Sequence, residues 1–489
     1  MLLSQLTGVI DNKCTDFNDA DITDIVYDSR KAKPSTLFVC LTGAVTDGHR
    51  YAESAYQNGC RAFLAEKELT LPDDATVIYT ENTRRALALV SAEFFSHPER
   101  RLKLIGITGT KGKTTVTKLC ADILNAANIN TATIGTNGIY INGEHSPTLN
   151  TTPESYELFK AFDKMISSGV DACVIEVSSQ AYLTHRVEGI IFDVGVFTNL
   201  APDHIGDGEH PTFENYMECK AQLFKSCRVG IFNADDPHYT DMRRGATCLS
   251  QTYALNTHAD FKAELIRQYK TDNSLGISFE CVSATGTVQV SLKMPGVFNV
   301  YNALAAIAAT KRFGVEDKVI SSALKASTVD GRFEIVDAID SCTVIIDYAH
   351  NGFSMQNLVD TVAAYSPKRL VIVFGSVGSR TELRRKELGD ICAKHADFCI
   401  LTNDNPDFED PMKILSDIEE SFKGTSTPYV IIPDREEAIK YAIRNACIGD
   451  VIVFAGKGHE KYQLVEGKRV PFCERDIILK EASLLTKRG

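Results

Sequence analysis

At 489 residues the chain is too long for a single core, and a soft expectation of roughly 150 residues per domain predicts about three domains. Its 44% hydrophobic and 24% charged residues are those of an ordinary soluble globular protein. A formal net charge of −12 argues against a duplex-binding surface, so small anionic ligands would have to be met by local basic residues.

The first hundred residues carry short strand-like pieces (DIVYDSR, TLFVCL, RAFLAE, ATVIYT) and a helical stretch in GHRYAESAYQNGC, which together predict a small α/β domain. Its polar cluster of Asp28, Ser29 and Arg30, with Thr42-Gly43 and Asp47-Gly48-His49, falls at loop and strand ends, where surface turn residues are also common. The helical ALALVSAEFFSHPERR leads to a first boundary near Arg101, giving a domain over 1–101.

A buried strand (Leu102, Leu104, Ile105, Ile107), a glycine-rich turn and a helix with apolar positions at Val116, Leu119, Cys120, Ile123 and Leu124 come next. The turn reads G-T-K-G-K-T-T, with Ile107 where the usual phosphate-loop formula has its first glycine. Gly109 and Gly112 would let the backbone close around phosphates, assisted by the helix-start N–H groups, and Lys113 would add a mobile positive charge. Thr114 or Thr115 would hold Mg²⁺.

From 102 to 328 strand and helix alternate as in a parallel sheet with crossover helices, which places ligands at strand C-termini. DACVIEVSSQ exits there into Glu176 and Ser178, and FDVGVFTNLAPDH into Asp203 and His204. By composition alone, His204 reads as a surface histidine and Lys220, in NYMECKAQLF, as a solvent-facing lysine.

The third part, 329–489, begins near VDGRFE. Its apolar strands run into CTVIIDYAH, RLVIVFGSVGSR, FCILTNDNPDFEDP and DVIVFAGKGHE, the pattern of a second doubly wound unit. The fourteen cysteines show no C-x-x-C and no zinc-ligand spacing, so they read as core residues of a protein from a reducing compartment. The start MLLSQLTGVIDNK has no basic leader and no stretch approaches 18 apolar residues, so a cytoplasmic protein without an anchor is expected.

Taken in order, GTKGKTT, NTTPES, EVSSQAYLTHRVEG, FTNLAPDH, ENYMECKAQLF, NADDP, FNVYNALAA, GRFE, DYAH, DNP and GKGHE closely resemble the Mur ligases, more narrowly the MurE type, the UDP-N-acetylmuramoyl-tripeptide synthetases. The resemblance spans nearly the whole chain. Folylpolyglutamate synthetases share the central loop, but the N-terminal part and GKGHE fit them poorly. The fold implied is α/β in three domains: a central P-loop-type parallel-sheet ATPase domain, a small N-terminal UDP-MurNAc-binding α/β domain, and a C-terminal Rossmann-like domain for the amino acid.

The activity implied is ATP-dependent amide ligation to UDP-N-acetylmuramoyl-L-Ala-D-Glu through an acyl phosphate, by a monomer that needs neither nucleic acid nor membrane. The resemblance places ATP on Gly109, Thr110, Lys111, Gly112, Lys113, Thr114, Thr115, Asn299, Asn302, Arg332 and Asp347. It assigns one Mg²⁺ to Thr114 or Thr115 with Glu176, and a second to His204 and Lys220 carrying a CO₂-derived carbamate. The UDP-MurNAc-dipeptide falls on Ser29, Arg30, Thr151, Thr152, Ser178 and Arg186, and the incoming amino acid on Arg380, Asn405, Gly456 and Glu460.

Three places depart from the pattern: Phe298 for a histidine, DYAHNGFS, and FGSVGSRTELRR. A fourth bears on specificity. Members that add meso-diaminopimelate read DNPR where this chain has DNPD, and Asp407 would repel a far carboxylate and attract the ammonium ending L-lysine or L-ornithine. That charge argument puts L-lysine or L-ornithine ahead of meso-diaminopimelate, with Arg384 or Arg385 as the residues able to replace the missing arginine. A kinase or ATPase, or a silent nucleotide sensor, is what the loop alone would permit.

Overall fold

The computed structural model describes residues 1–12, 19–43, 46–203, 205–206, 209–271, 274–329, 331–378 and 382–486. The chain forms two compact units. One comprises Met1–Lys262, Ser283–Thr285 and Tyr301–Ile320, the other Ala263–Val282, Gly286–Val300 and Ser321–Gly489.

The first unit holds two sheets. Strands Asp24–Val26, Thr36–Val39, Ala62–Ala65 and Thr76–Tyr79 pair in parallel in chain order. Apolar residues on one face of this sheet, among them Leu37, Leu64 and Ile78, close a core with Leu87 and Val90 of helix Thr83–Phe94. The larger sheet has the parallel order Leu249–Ala254, Cys227–Asn233, Phe192–Phe197, Lys103–Thr108, Ala172–Glu176, Thr131–Gly135. Its central strands are near-continuous apolar runs because helices such as Lys113–Ala126 and Ser155–Ser167 cover it, and strands shielded on both faces need no polar alternation. Val116, Leu119, Cys120, Ile123 and Leu124 are all fully buried on the first of these helices, at the positions their spacing predicts.

An antiparallel edge, Gly138–Ile141 with Glu144–Ser146, extends this sheet and was not expected. Its cause is local. Asn142 and Gly143 both take positive φ, the two-residue Asn-Gly turn whose twist matches a hairpin.

In the second unit a six-stranded sheet runs Glu334–Val336, Thr343–Asp347, Asp450–Ala455, Arg369–Phe374, Phe398–Leu401, Tyr429–Ile431. All its pairs are parallel except the first. Strand Asp450–Ala455 lies between two strands that precede it in the chain, so strand order departs from chain order there, and sheets of this kind take ligands at their strand C-termini. The hairpin Tyr462–Val465 and Lys468–Pro471 follows that strand. Among the described residues no helix is long and apolar enough to cross a membrane.

Candidate active site

The glycine-rich turn joins strand Lys103–Thr108 to helix Lys113–Ala126. Gly109 has φ +141°, and a Cβ there would lie 2.0 Å from Thr198 Oγ1. Gly112 has φ +86°, and its Cβ would lie 2.5 Å from Asn302 Oδ1. Any side chain at either place would therefore meet both backbone strain and a neighbour. The segment after strand Phe192–Phe197 fastens the turn. Thr110 N–H donates to Asn199 O at 2.8 Å, Lys111 N–H to Asn199 Oδ1 at 3.0 Å, and Thr198 Oγ1 to Lys111 O at 2.7 Å. Thr198 and Asn199 were missed in the sequence, where FTNLAPDH drew attention only to its acid and histidine. Lys113 Nζ folds back onto the carbonyls of Gly109 (2.8 Å) and Thr110 (3.1 Å), and Lys111 Nζ lies 3.3 Å from Asp203.

Lys220 corrects its composition reading. It is 2% exposed, its Nζ donates to Gly109 O at 2.9 Å and sits 4.5 Å over the Tyr216 ring. Burial, then the nearby Lys113 charge, lowers its pKa well below that of an ordinary lysine. Tyr216 is in turn held by Thr110 Oγ1 at 3.1 Å. His204 lies outside the described residues.

Glu176 ends strand Ala172–Glu176 beside Ile107, the last residue but one before the turn. It is 2% exposed, and its carboxylate accepts Thr136 N–H (3.1 Å) and Thr136 Oγ1 (3.2 Å). Thr136 Oγ1 also lies 3.2 Å from Thr151 Oγ1. Thr152 Oγ1 donates to Glu176 O at 2.8 Å and accepts Ser178 N–H at 3.1 Å. Arg186 donates to Thr152 O at 3.1 Å and to Glu154 at 3.0 Å. Thr151, Thr152, Ser178 and Arg186 thus form one connected patch with Glu176. Thr136 and His210, the latter buried and bonded to Ser179 Oγ and Asn215 Oδ1 at 2.8 Å each, were not singled out in the sequence.

The remaining residues are more dispersed. Ser29 is buried, whereas the Arg30 side chain is 87% exposed and forks onto Asp28 with two bonds of 2.8 Å, holding that carboxyl at about 2. Asn302 and Thr114 belong to the first unit; Asn299, Arg332 and Asp347 belong to the second. Asn299 Nδ2 donates to Pro295 O at 2.8 Å, the Arg332 guanidinium stacks 4.5 Å over Tyr348, and Asp347 Oδ1 accepts Ala349 N–H at 2.8 Å.

In the second unit Asn405 and Glu460 are in direct contact, and Gly456 immediately precedes the lysine that joins them. Asn405 Nδ2 donates to Glu460 Oε2 at 2.9 Å, and Gly456 N–H donates to Asp347 O at 3.0 Å. Between them lies Lys457, fully buried, whose Nζ donates to Asn405 Oδ1 and Glu460 Oε2 at 2.7 Å each and lies 3.5 Å from Asp404. A second buried pair, Arg435 with Glu474 at 2.7 Å, also ties Arg435 to the carbonyls of Asn403 and Ala455. Burial pushes the Asp404 and Glu474 carboxyls up. Lys457 was missed although it stands inside GKGHE, because nothing in a sequence distinguishes a buried lysine from a solvated one. Arg380 lies outside the described residues.

Asp407 has a use that its charge did not suggest. It takes φ +53°, and its Oδ1 accepts Gly467 N–H at 2.7 Å, at the turn of the 462–471 hairpin. Arg385 is buried, with Glu409 and Asp417 on its two terminal nitrogens at 2.6 Å each, so its charge is already paired. Arg384 is half-buried.

Three family models match the chain: the Mur ligase family, catalytic domain, over residues 21–95; the Mur ligase middle domain over 107–310; and the Mur ligase, glutamate ligase domain, over 331–458. The chain is 40% identical over 461 residues, 94% of each chain, to UDP-N-acetylmuramoyl-L-alanyl-D-glutamate–2,6-diaminopimelate ligase of Caldanaerobacter subterraneus subsp. tengcongensis. Over 472 residues, again 94% of each chain, it is 40% identical to the enzyme of that name from Bacillus velezensis. A solved diaminopimelate ligase structure covers 95% of both chains with a TM-score of 0.70 and 29% identity. The fold alone is shared with MurF ligase from Thermotoga maritima, at a TM-score of 0.62 and 17% identity over 95% of this chain and 98% of that one.

Proposed function

The chain belongs to the Mur ligase family, and on that premise we propose that it is the ATP-dependent ligase that joins diaminopimelate to UDP-N-acetylmuramoyl-L-alanyl-D-glutamate. The observation that carries this reading is the near-full-length identity to ligases named for that reaction. Of the two amino-acid alternatives weighed at Asp407, diaminopimelate is therefore the better supported. The charge argument for L-lysine or L-ornithine also loses force, since a carboxylate oxygen of Asp407 already serves the Gly467 N–H.

A substrate carboxylate attacking a triphosphate brings anion to anion, so alignment and neutralisation supply most of the acceleration. Lys113 is the mobile cation: it exchanges its two loop carbonyls for phosphate oxygens, while N–H groups at the helix start hold the remaining ones. With ADP as the leaving group an acyl phosphate forms, and the free amine of the incoming amino acid then attacks its acyl carbon, loses a proton and expels inorganic phosphate.

The donors near the turn are threonine hydroxyls and the buried Glu176 carboxylate, an all-oxygen set suited to a hard cation. Thr114 or Thr115 with Glu176 would hold one Mg²⁺, and His204 with a carbamylated Lys220 the second, ions that when bound neutralise phosphate charge. Only a free-base amine adds CO₂, and burial, then the nearby Lys113 charge, favours that form at Lys220.

Thr151, Thr152, Ser178 and Arg186, with Ser29 and Arg30, are the proposed contacts of the UDP-MurNAc-dipeptide, and Asn405, Gly456, Glu460 and Arg380 those of the amino acid. This divides the chain into 1–101 for UDP-MurNAc, 102–328 for ATP and 329–489 for the amino acid. A monomer working in the cytoplasm, where its nucleotide-linked precursor and ATP are available, completes the reading. The test is phosphate release from ATP and Mg²⁺ with UDP-MurNAc-L-Ala-D-Glu. Turnover that depends on meso-diaminopimelate is expected, and phosphate release indifferent to any diamino acid would overturn the ligase reading.

A further inference from the structure

The acidic fourth position of DNPD leaves the extra carboxylate of diaminopimelate without its usual arginine, and the hairpin after GKGHE offers another. The loop 404–407 and strand Tyr462–Val465 are stitched by a continuous run of hydrogen bonds. Gln463 Nε2 donates to Asp404 O (3.0 Å), Leu464 N–H to Asn405 Oδ1 (2.9 Å), and Asp407 N–H to Leu464 O (3.0 Å). Glu466 N–H then donates to Asp407 O (3.0 Å), and Gly467 N–H to the Asp407 carboxylate (2.7 Å). An arginine at 407 could not accept that last bond, so the acid that removes one guanidinium also fixes the hairpin beside Asn405.

On the hairpin Tyr462 pairs with Pro471 and Leu464 with Arg469, so Tyr462 and Arg469 share a face as diagonal neighbours. The Arg469 guanidinium carbon lies 4.7 Å from the centroid of the Tyr462 ring and Lys457 Nζ 5.4 Å from the same centroid, which leaves the two cations at most about 10 Å apart. Lys457 is itself 2.7 Å from Glu460 Oε2, which places that oxygen within about 13 Å of the Arg469 guanidinium carbon, room for the span the substrate needs. An ammonium resting on a carboxylate, with its neighbouring carboxylate on an arginine fork, spans roughly 9 Å from acceptor oxygen to guanidinium carbon. Arg469 is exposed and makes no ion pair among the described residues, whereas Arg385 and Lys413 both face Glu409.

Resting on the ligase reading above, we propose that Arg469 binds the carboxylate that diaminopimelate has and lysine lacks. Glu460 takes the ammonium on the same carbon, and Tyr462 holds the guanidinium flat at the pocket rim until the substrate arrives. Specificity for diaminopimelate is thereby moved from the DNP loop to the hairpin which that loop supports.

The experiment compares kcat/KM for meso-diaminopimelate and L-lysine, which differ by that one carboxylate, in wild type, Arg469→Ala, Arg469→Lys and Arg384→Ala. Loss of a charge-assisted pair at the rim is expected to lower the diaminopimelate-to-lysine ratio by about 30-fold or more in Arg469→Ala, mainly through KM, with partial recovery in Arg469→Lys. A ratio within threefold of wild type in Arg469→Ala overturns the proposal, and a fall confined to Arg384→Ala assigns the carboxylate to that residue instead. Equal losses for both amino acids would mean that Arg469 serves only the fold, and this also overturns it. Failure of wild type to use any diamino acid would defeat the ligase reading itself, and is visible before any variant is made.

Discussion

Lys220 is 2% exposed and lies near the Lys113 charge, an odd place for an ammonium group even with a backbone carbonyl 2.9 Å away and an aromatic ring beneath it. Its lowered pKa means that this lysine binds fewer protons in the fold than in the unfolded chain, so its contribution to stability rises with pH from the depressed folded value up to the ordinary 10.5. In CO₂-free buffer, wild type is expected to gain stability between neutral and alkaline pH by more than Lys220→Met does, and equal gains in denaturant titrations would contradict this. Activity should follow the same residue. Lys220→Ala is expected to lose about 10²-fold or more in turnover, as for removal of a group that stabilises developing charge, and acetate at high concentration should restore part of it by filling the place of a carbamate. Full activity of the alanine variant in CO₂-free buffer would make Lys220 a packing residue. Lys113, four residues from the carbonyl it rests on, is expected to matter in the transition state: Lys113→Ala should lower kcat by about 10³-fold while precursor binding by calorimetry changes little. Retention of a tenth of wild-type turnover would refute that role.

The hairpin at 462–471 is held to the 404–407 loop by several hydrogen bonds, and its turn is capped by one side chain. Asp407→Ala removes the acceptor of Gly467 N–H, a bond worth about 1 kcal/mol or somewhat more for its charge. Amide exchange at Gly467 and Glu466 is expected to quicken in that variant while exchange in strand Asp450–Ala455 is unchanged; uniform protection would show that the turn stands without the cap. This element also marks how far sequence reasoning reached. Helix Lys113–Ala126 and the strands ending at Glu176 and Asp347 were legible because a buried face imposes a period, and the glycine-rich turn because its chemistry is local. The edge strand after Asn142-Gly143 was equally local but went unread. What could not be read were partners distant in sequence: Asn199 under the phosphate loop, Thr136 on Glu176, and Lys457 between Asn405 and Glu460. The sign of Asp407 was legible, but its engagement by a glycine N–H 60 residues later was not.

For the whole molecule, the two clusters fall in different compact units, the loop with Lys113, Glu176 and Lys220 in one and Asn405, Lys457 and Glu460 in the other. On the function proposed above, phosphoryl transfer to the precursor carboxylate would use the first cluster and capture of the acyl phosphate by an amine the second, so the two half-reactions should respond separately to substitution. Glu460 shares Oε2 with Lys457 and Asn405, and in Glu460→Ala the far ammonium of the bound amino acid would lose the carboxylate partner proposed for it while Lys457 keeps Asn405. That variant is expected to lower tripeptide formation by about 10²-fold, the scale of a lost charge-assisted contact at a buried site. Its ATP-dependent formation of a hydroxamate with added hydroxylamine, which intercepts the acyl phosphate without using the amino-acid pocket, should stay within a few-fold of wild type. Lys113→Ala should lose the two products together. If Glu460→Ala lost hydroxamate and tripeptide in equal measure, the pocket would have to be occupied before phosphate is transferred, and the two units would be obligate partners from the first chemical step.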